Sequence, residues 1–314
     1  MNQPLDAQVI PRFAGPASFF RLPVQEEIKD LDVALLGIPF DSAASFRPGA
    51  RFGPRAIREM SSLLRPYNRV LDVKPYETLN VADIGDCRVN PFDTLVTLDQ
   101  IAGQISDLVK NGVTPLSFGG DHLVTLGALR GVARNLGPVA VLQFDAHLDT
   151  WDTYFGSKYT HGSFMRRAME EGLVDAGGSL QVGIRGPLFG AEDMETVHAL
   201  GLEILPMDGI VDWPVERILS AIRGRIGVRK VYLTFDIDAV DPAFTPGTGT
   251  PEVGGFTSQQ AVAIIQGLTD LDIIGADVVE VAPSHDPAQI TSLMAARLGF
   301  EILSLIALNR RKGK

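Results

Sequence analysis

Short apolar runs rich in Val, Ile and Leu alternate with amphipathic segments along almost the whole chain of 314 residues. Continuous apolar runs are typical of parallel strands that are covered on both faces. The alternation therefore predicts βαβ units and a parallel sheet in a three-layer αβα sandwich, an α/β fold. The predicted strands are Val33–Ile38, Leu79–Ile84, Pro115–Phe118, Val139–Phe144, Leu180–Ile184, Val231–Phe235 and Ile273–Val281.

Three of the segments between these strands carry clear helix signals. An apolar stripe runs through residues 95–108, and Gly112 after it predicts the end of that helix. Pro214 predicts the start of a second helix, because proline is favoured in the first helical turn. Thr257 and Gln260 have the spacing of a capping box and predict the start of a third.

We expect a single domain over residues 1–314, because no repeat, low-complexity stretch or linker divides the chain. Its first segment, residues 1–30, is Pro-rich and is expected to be irregular, lying on the surface or against a neighbouring subunit. Hydrophobic residues make up 45% of the chain and charged residues 21%, which is typical of a folded enzyme and excludes a disordered chain.

Charge and cysteine content exclude several kinds of protein. The net charge of −10 argues against nucleic acid or an anionic membrane as the main partner, because both require a basic surface. Cys87 is the single cysteine, so neither an intrachain disulfide nor a thiolate metal cluster can form, and a structural role is expected for it. The N-terminal residues do not show the pattern of a signal peptide, in which a basic segment precedes an apolar one, and no apolar run approaches the length needed to span a bilayer. A cytoplasmic protein is therefore expected.

Three of the predicted strands are followed at once by Asp and His residues. These motifs are Gly119–His122, Asp145–Asp149 and Asp236–Asp238. In an open α/β sheet, the groups at the carboxyl ends of the strands gather at one edge. Each motif alone is more often a turn, a helix cap or a hydrogen-bonded cluster. Together they would place so many carboxylates side by side that mutual repulsion would be costly without cations.

The donor chemistry of these motifs predicts a pair of metal ions. Two histidines and four carboxylates, without sulfur, suit Mn²⁺ first, and also Ni²⁺, Co²⁺, Fe²⁺ or Zn²⁺. Six ligands exceed the need of one catalytic ion, so two ions that share carboxylates are predicted, and they would supply hydroxide at neutral pH. Asp145, His147 and Asp149 are expected to point the same way, as alternate residues of an extended segment.

Four runs resemble the ureohydrolase family of arginases, agmatinases and guanidino-acid hydrolases in content, order and spacing: Gly119–His122, Asp145–Asp149, Asp236–Pro242 and, after them, Pro246–Gly255. The resemblance runs from Asp32 to about Leu308. It implies hydrolysis of a guanidino compound to urea and an amine by two divalent ions. It also implies the arginase/deacetylase fold with an eight-stranded parallel sheet, and a homo-oligomer, a trimer or hexamer. The implied metal ligands are His122, Asp145, His147, Asp149, Asp236 and Asp238.

The resemblance gives further roles to four residues. His161 would transfer a proton to the leaving amine, although a loop histidine beside glycine is otherwise an ordinary surface residue. Glu280 would pair with the planar guanidinium; the alternative is a helix cap or an arginine partner. Asp149 would orient the attacking hydroxide, and Thr250 lies in a loop that approaches the guanidinium in the family.

The aromatic loop between Thr150 and Thr160 resembles agmatinases and guanidino-acid hydrolases, and it lacks the Asn and Ser pattern of arginases. Arginine is therefore disfavoured, and an agmatinase-like activity is favoured, with guanidinobutyrate or guanidinopropionate as alternatives. Agmatine's amine would be held by an acid such as Asp152, and a guanidino acid's carboxylate by Lys158 or an arginine. The expected substrate contacts are Thr250, Asp152, Tyr154, Lys158, Tyr159 and Glu280, with Arg12 or Arg47 as the arginine.

Two segments near the expected pocket depart from the family pattern. Gly162–Met165 and Ser284–Pro287 differ from the residues typical of agmatinases, which keeps an alkylguanidine or biguanide substrate open. His285, in the second segment, is expected to be either a contact at the rim of the pocket or a plain loop residue. His198, in a predicted helix over Thr196–Leu200, is expected on the surface.

Functions of two other classes predict sequence features that differ from those of this chain. A single-zinc deacetylase of the related fold predicts a His-His pair and an incomplete second ligand set, and this sequence has neither. A non-catalytic partner subunit would be expected to have lost metal ligands, and none of the six is missing. Both alternatives are therefore disfavoured.

Overall fold

Eight strands, all paired in parallel, form one sheet in the computed structural model, which describes residues 1–313. The strand order across the sheet is 2-1-3-8-7-4-5-6 in chain numbering. This confirms the predicted parallel sheet and its eight strands. The strands are β1 (Val33–Ile38), β2 (Val81–Asp86), β3 (Thr114–Gly119), β4 (Ala140–Phe144), β5 (Leu180–Val182), β6 (Glu203–Leu205), β7 (Lys230–Asp236) and β8 (Asp272–Val279).

The differences from the predicted strands have local causes. β2 begins two residues later than predicted, because Leu79 caps a short helix that precedes it. β6 was not predicted from its own residues, since it has three residues and lies half-buried at the edge of the sheet. Such a short segment carries no alternation that distinguishes a strand from a loop.

The helix signals of the sequence are confirmed. Gly112 follows the end of a long helix with a φ of 74°, Pro214 caps another, and both hydrogen bonds of the Thr257–Gln260 capping box are formed. The helices are α1 (Gly53–Ser61), α2 (Pro75–Thr78), α3 (Thr94–Lys110), α4 (Val124–Leu136), α5 (Phe164–Glu170), α6 (Ala191–Ala199), α7 (Met207–Ile210), α8 (Val215–Ile226), α9 (Ser258–Gly267) and α10 (Ile290–Arg311).

The sheet is covered on both faces, as the apolar strands predicted. In β1, Val33 and Leu35 pack into one apolar cluster, and Leu36 and Ile38 pack into the other. Helices α1, α8, α9 and α10 contribute to the first cluster, and α3, α4, α5 and α6 to the second. The three-layer sandwich is therefore confirmed. Since every residue of β1 is buried, the surface available for chemistry lies at the ends of the strands.

The irregular first segment is not wholly a surface feature. Phe19 is fully buried, its ring stacks on Phe118 at 4.3 Å, and the guanidinium of Arg58 lies 4.1 Å from it. Leu22 is buried in the same cluster, whereas Phe13 is 93% exposed. The expectation of a surface segment was therefore wrong for residues 18–22.

The helix α10 (Ile290–Arg311) is longer and more apolar than we expected of any segment of this chain. The mean hydropathy of α10 over 18 residues is 1.6, so by length and composition it could cross a membrane. However, 78% of that window is buried inside the fold, where residues such as Leu298 and Leu305 pack against the sheet. The statement that no segment approaches bilayer length was wrong, and packing in the core explains the apolar residues.

Candidate metal centre and its cleft

Four neighbouring strands carry the functional motifs at their carboxyl ends. β3, β8, β7 and β4 are adjacent in the sheet. Asp145 directly follows β4, Asp236 ends β7, and Glu280 directly follows β8. His122 lies just beyond β3, and its backbone N–H donates to Glu280 Oε1 at 2.8 Å. The predicted gathering of these groups at one edge of the sheet is what the topology produces.

The segment Asp145–Asp149 converges by a different geometry from the one expected. The chain bends at Ala146 and His147, and Asp149 has a φ of 54°, in the left-handed region. The backbone N–H of His147 donates to Asp145 Oδ1 at 2.6 Å, which closes the bend. The expectation of an extended, alternating run was therefore wrong, although the side chains still meet.

Two groups of donor atoms form around a shared carboxylate. Nδ1 of His122 lies 3.0 Å from Asp145 Oδ2, 3.0 Å from Asp149 Oδ2 and 3.2 Å from Asp236 Oδ2. Nδ1 of His147 lies 3.1 Å from Asp238 Oδ2 and 3.5 Å from Asp145 Oδ1. The donor atoms of each group lie within 4.8 Å of one another. One group is His122, Asp145 and Asp149, and the other is Asp145, His147 and Asp238.

Some of these donor atoms have no hydrogen-bond partner in the protein, which suits the binding of cations. Among the described residues, the buried atoms Nδ1 of His122 and Oδ2 of Asp238 have no hydrogen-bond partner, although carboxylates or a ring nitrogen lie close by. A buried polar atom without a partner is costly, and a metal ion bound to it would remove that cost. One nitrogen and several oxygens per group are donors that Mn²⁺ and similar ions accept.

The electrostatics of three of the carboxylates also suit bound cations. Burial, together with the charge of Asp145, raises the pKa of Asp149 to about 6. Burial and the charges of Asp238 and Asp145 raise the pKa of Asp236 well above its ordinary value. Burial opposes ionisation of Asp145 too, but hydrogen bonds to His122 and His147 lower its pKa. Bound cations would stabilise the charged form of these carboxylates.

Partners in the interior orient two of these ligands. Thr234 Oγ1 lies 2.8 Å from Nε2 of His122, so the ring's other nitrogen is directed at the carboxylates. Gln143 donates to Asp145 Oδ2 at 2.7 Å and accepts from Gln181 at 2.8 Å. None of these three residues was predicted from the sequence. Period-two spacing could have identified Thr234, two residues before Asp236 on β7, and Gln143, two residues before Asp145 at the end of β4.

His161 and Glu280 form a buried ion pair beside the donor groups. Nδ1 of His161 lies 2.9 Å from Glu280 Oε1, and its Nε2 lies 2.6 Å from the hydroxyl of Ser45. Burial alone would lower the pKa of His161, but the Glu280 carboxylate outweighs it and raises that pKa to about 9. Glu280 has a φ of 64°. His161 is therefore not an ordinary surface histidine.

A cleft of about 620 Å³ opens above the donor groups. Tyr154 and Thr250 line it, as the sequence analysis expected for substrate contacts. Its full lining is Ser45, Phe46, Arg47, His122, His147, Asp149, Trp151, Tyr154, Phe155, His161, Gly162, Asp236, Thr250, Pro251 and Glu252.

Four of the six expected substrate contacts are not in this lining. Glu280 is 1% exposed and lies against His161, which does line the cleft. Asp152 instead pairs with Arg167 at 2.7 Å, and Tyr159 packs towards Arg130 at 6.0 Å. Lys158 is exposed and lies outside the lining. The loop folds so that Trp151 and Tyr154 are half-buried in the cleft lining, whereas Phe155 lines the cleft but is 82% exposed. A sequence without periodicity does not indicate which residues will turn towards the cleft.

The remaining histidines and arginines are placed as follows. His198 is exposed on α6, as expected, and His285 is a half-buried loop residue that does not line the cleft. Arg12 lines a separate cavity under the first segment. Arg47 lines the cleft, but its Nη2 and Nε donate to the carbonyls of Thr248 and Gly249 at 2.9 and 3.2 Å.

Known proteins are similar to this chain over nearly its whole length. The family model for the arginase family matches residues 31–304. The guanidinopropionase of Pseudomonas aeruginosa is 46% identical over 97% of this chain and 96% of its own. The guanidinobutyrase of the same organism is 42% identical over 98% and 97%. The solved structure of the proclavaminate amidino hydrolase from Streptomyces clavuligerus matches with a TM-score of 0.92 at 38% identity, covering 95% of this chain and 99% of that one.

Proposed function

This chain belongs to the arginase family, and from that premise we propose that it hydrolyses a guanidino compound to urea and an amine. The observation that carries the proposal is a pair of donor groups that share Asp145 and lie beside the His161–Glu280 ion pair. One part of this arrangement suits cations, and the other suits a guanidinium and its leaving nitrogen. Agmatine, which the sequence favours, and short guanidino acids are members of this substrate class.

The six predicted ligands would hold two divalent ions. His122, Asp145 and Asp149, with Asp236 beside them, would hold one ion, and Asp145, His147 and Asp238 the other. When bound, such a pair lowers the pKa of a water molecule and supplies a nucleophile at neutral pH. We propose Mn²⁺ as the native ion, with Ni²⁺ or Co²⁺ as alternatives, because the donors are nitrogen and oxygen without sulfur.

The reaction balances with water as the only co-substrate. Oxygen of water adds to the guanidino carbon, and the bond from that carbon to the substituted nitrogen breaks. The departing nitrogen takes a proton, so the products are urea and an amine. His161, which lies beside Glu280 and lines the cleft, supplies this proton. Asp149 accepts a hydrogen bond from the attacking water and orients it.

Glu280 would bind the guanidinium of the substrate. Its Oε1 accepts from His161 and from the backbone of His122, which fixes the carboxylate in place. A Cβ added at Gly249 would lie 3.7 Å from Oε2 of Glu280. Gly249 directly precedes Thr250, which lines the cleft. A carboxylate held in this way can accept charge-assisted hydrogen bonds from a planar cation.

Three wider properties are proposed with this function. We propose a homo-oligomer, a trimer or hexamer, whose contacts would cover exposed apolar side chains such as Phe13. We propose a cytoplasmic location, which suits a chain whose single cysteine, Cys87, is buried and free. We propose that neither nucleic acid nor membrane is its partner, in keeping with a net charge of −10.

Urea release tests the proposed function. The protein, loaded with Mn²⁺ or Ni²⁺, is incubated with agmatine, guanidinobutyrate, guanidinopropionate, arginine and simple alkylguanidines. Urea from at least one compound other than arginine is expected. If no compound in the panel yields urea with either metal, the proposed function is wrong.

Replacing His161 with alanine is expected to lower kcat by about a hundredfold, the usual contribution of a positioned general acid. Bound metal should stay unchanged, because His161 is not in either donor group. Added imidazole should restore part of the rate. The control is His198→Ala, which removes an exposed histidine from α6. A rate equal to that of the control would remove His161 from the reaction.

A further inference from the structure

Four aromatic side chains contact one another at the mouth of the cleft. The rings of Trp151 and Tyr154 stack with centroids 5.2 Å apart, and Phe155 lies 4.4 Å from Tyr154. Phe189, which precedes α6 in a separate loop, lies 5.2 Å from Trp151 and 6.1 Å from Tyr154. We call these four residues the aromatic wall. The first three line the cleft, and Phe189 supports two of them.

The wall lies directly beside the reacting groups. The backbone N–H of Trp151 donates to the carbonyl of Gly162 at 3.1 Å, one residue after His161. A Cβ added at Gly162 would lie 2.6 Å from Cε3 of Trp151, so the indole packs on bare backbone. A substituent on the leaving nitrogen, which His161 would protonate, therefore has the wall as its neighbour.

The charged side chains along the same cleft already have partners. Arg47 donates to the carbonyls of Thr248 and Gly249. Glu252 accepts from the backbone N–H of Val253 at 3.1 Å. Asp152, the acid that could have held an amine, pairs with Arg167 outside the lining. These backbone contacts orient Arg47 and Glu252 without neutralising them, so the wall is the uncharged part of the lining that can pack against a carbon chain.

We propose that the substrate is an N-alkylguanidine, whose uncharged carbon chain packs against the aromatic wall. This inference rests on the proposed function, since it concerns what the guanidino group carries. Each methylene that leaves water for aromatic contact stabilises the complex, whereas a carboxylate beside the electron-rich ring faces would not be stabilised. Hydrolysis breaks the bond between the guanidino carbon and the alkylated nitrogen, takes up one water, and gives urea and an alkylamine.

A length series tests the proposal on the metal-loaded enzyme. kcat/KM is measured for methyl-, ethyl-, n-propyl- and n-butylguanidine, and for agmatine and 4-guanidinobutyrate as charged compounds of similar length. We expect kcat/KM to rise by about fourfold per methylene, and n-butylguanidine to equal or exceed 4-guanidinobutyrate, whose carboxylate the ring faces do not stabilise. A flat alkyl series, or a charged compound faster by about a hundredfold, would overturn the proposal.

Phe189→Ala tests whether the wall itself sets this dependence. Phe189 is 71% exposed, so its removal leaves the core intact, while Trp151 and Tyr154 lose their support. We expect the gain per methylene to fall from about fourfold to below about twofold. The control, Phe92→Ala, removes a 97% exposed ring that does not line the cleft, and should keep the full gain. An equal loss for every substrate with Phe189→Ala would contradict the assigned role.

A binding measurement separates this inference from the proposed function. The chain has two tryptophans, so in Trp213→Phe the fluorescence reports Trp151 alone. Fluorescence that changes with alkyl length while no compound yields urea would overturn the proposed function and keep the wall as a binding surface. Urea from charged compounds, with fluorescence unmoved by alkylguanidines, would overturn the wall and keep the proposed function.

Discussion

Asparagine in place of Asp145 is expected to remove most of the bound metal and to lower kcat by about a thousandfold, which corresponds to about 4 kcal/mol. Asp145 belongs to both donor groups, so one neutral amide weakens two sites at once. Metal content per chain, measured by mass spectrometry after desalting, and the rate of urea release are the two readouts. Unchanged metal content and rate would show that Asp145 is not a ligand.

Thermal unfolding distinguishes this effect from a damaged fold. The metal-free variant should be no more stable than the metal-free parent, because hydrogen bonds to His122 and His147 lower the pKa of Asp145 and so make its charged form favourable in the fold. The rise in Tm on adding Mn²⁺ should be lost, since that rise reports binding to the folded state. The control is Asp86→Asn at the end of β2, where the side chain is 47% exposed. This control should keep its metal, its rate and the rise in Tm.

Glutamine in place of Glu280 is expected to lower kcat/KM by two to three powers of ten, about 3 to 4 kcal/mol, while the metal content stays intact. Glutamine keeps an oxygen that can accept from His161 and from the backbone of His122, but it loses the charge that would pair with a guanidinium. The loss should appear in KM as well as in kcat, because the pairing forms when the substrate binds.

The metal content of Glu280→Gln decides between two roles. Retained metal with a large loss of kcat/KM supports guanidinium binding. Loss of metal comparable to that of Asp145→Asn would instead make Glu280 a support of the loop that carries His122. Glu171→Gln, which changes an acid paired with Arg130 far from the cleft lining, is the matched control.

The strand ends could be predicted because their signal is local. Asp and His residues that directly follow apolar strands can be assigned to one site from the sequence, because the carboxyl ends of parallel strands lie at the same edge of the sheet. Gly120 belongs to the same signal: a Cβ there would lie 1.6 Å from the carbonyl oxygen of Phe40, so the turn before His122 has room only for glycine. The left-handed conformation of Asp149 gave no such signal, and the expected extended run was wrong.

The cleft could be predicted only in part because its walls come from distant segments. Phe189 meets Trp151 across 38 positions of sequence, and neither residue lies in a periodic element. Within one loop, Tyr154 turns inwards while Asp152 is drawn outwards by Arg167. These choices depend on ion pairs and ring contacts that exist only after folding. Phe19, buried under Phe118, was misjudged for the same reason.

Two carboxylates of the centre occupy backbone positions that L-residues rarely adopt, Asp149 at a φ of 54° and Glu280 at 64°. Each such position costs about 1 kcal/mol or more, which glycine would not incur. At Asp149, where burial and the charge of Asp145 also oppose ionisation, a stability screen blind to turnover would therefore favour glycine and select folded, inactive chains. At Glu280 the two buried hydrogen bonds that its carboxylate accepts offset the strain. Selection for robustness and selection for chemistry thus act in opposite directions at Asp149, and stabilising variants should be sought elsewhere in the chain.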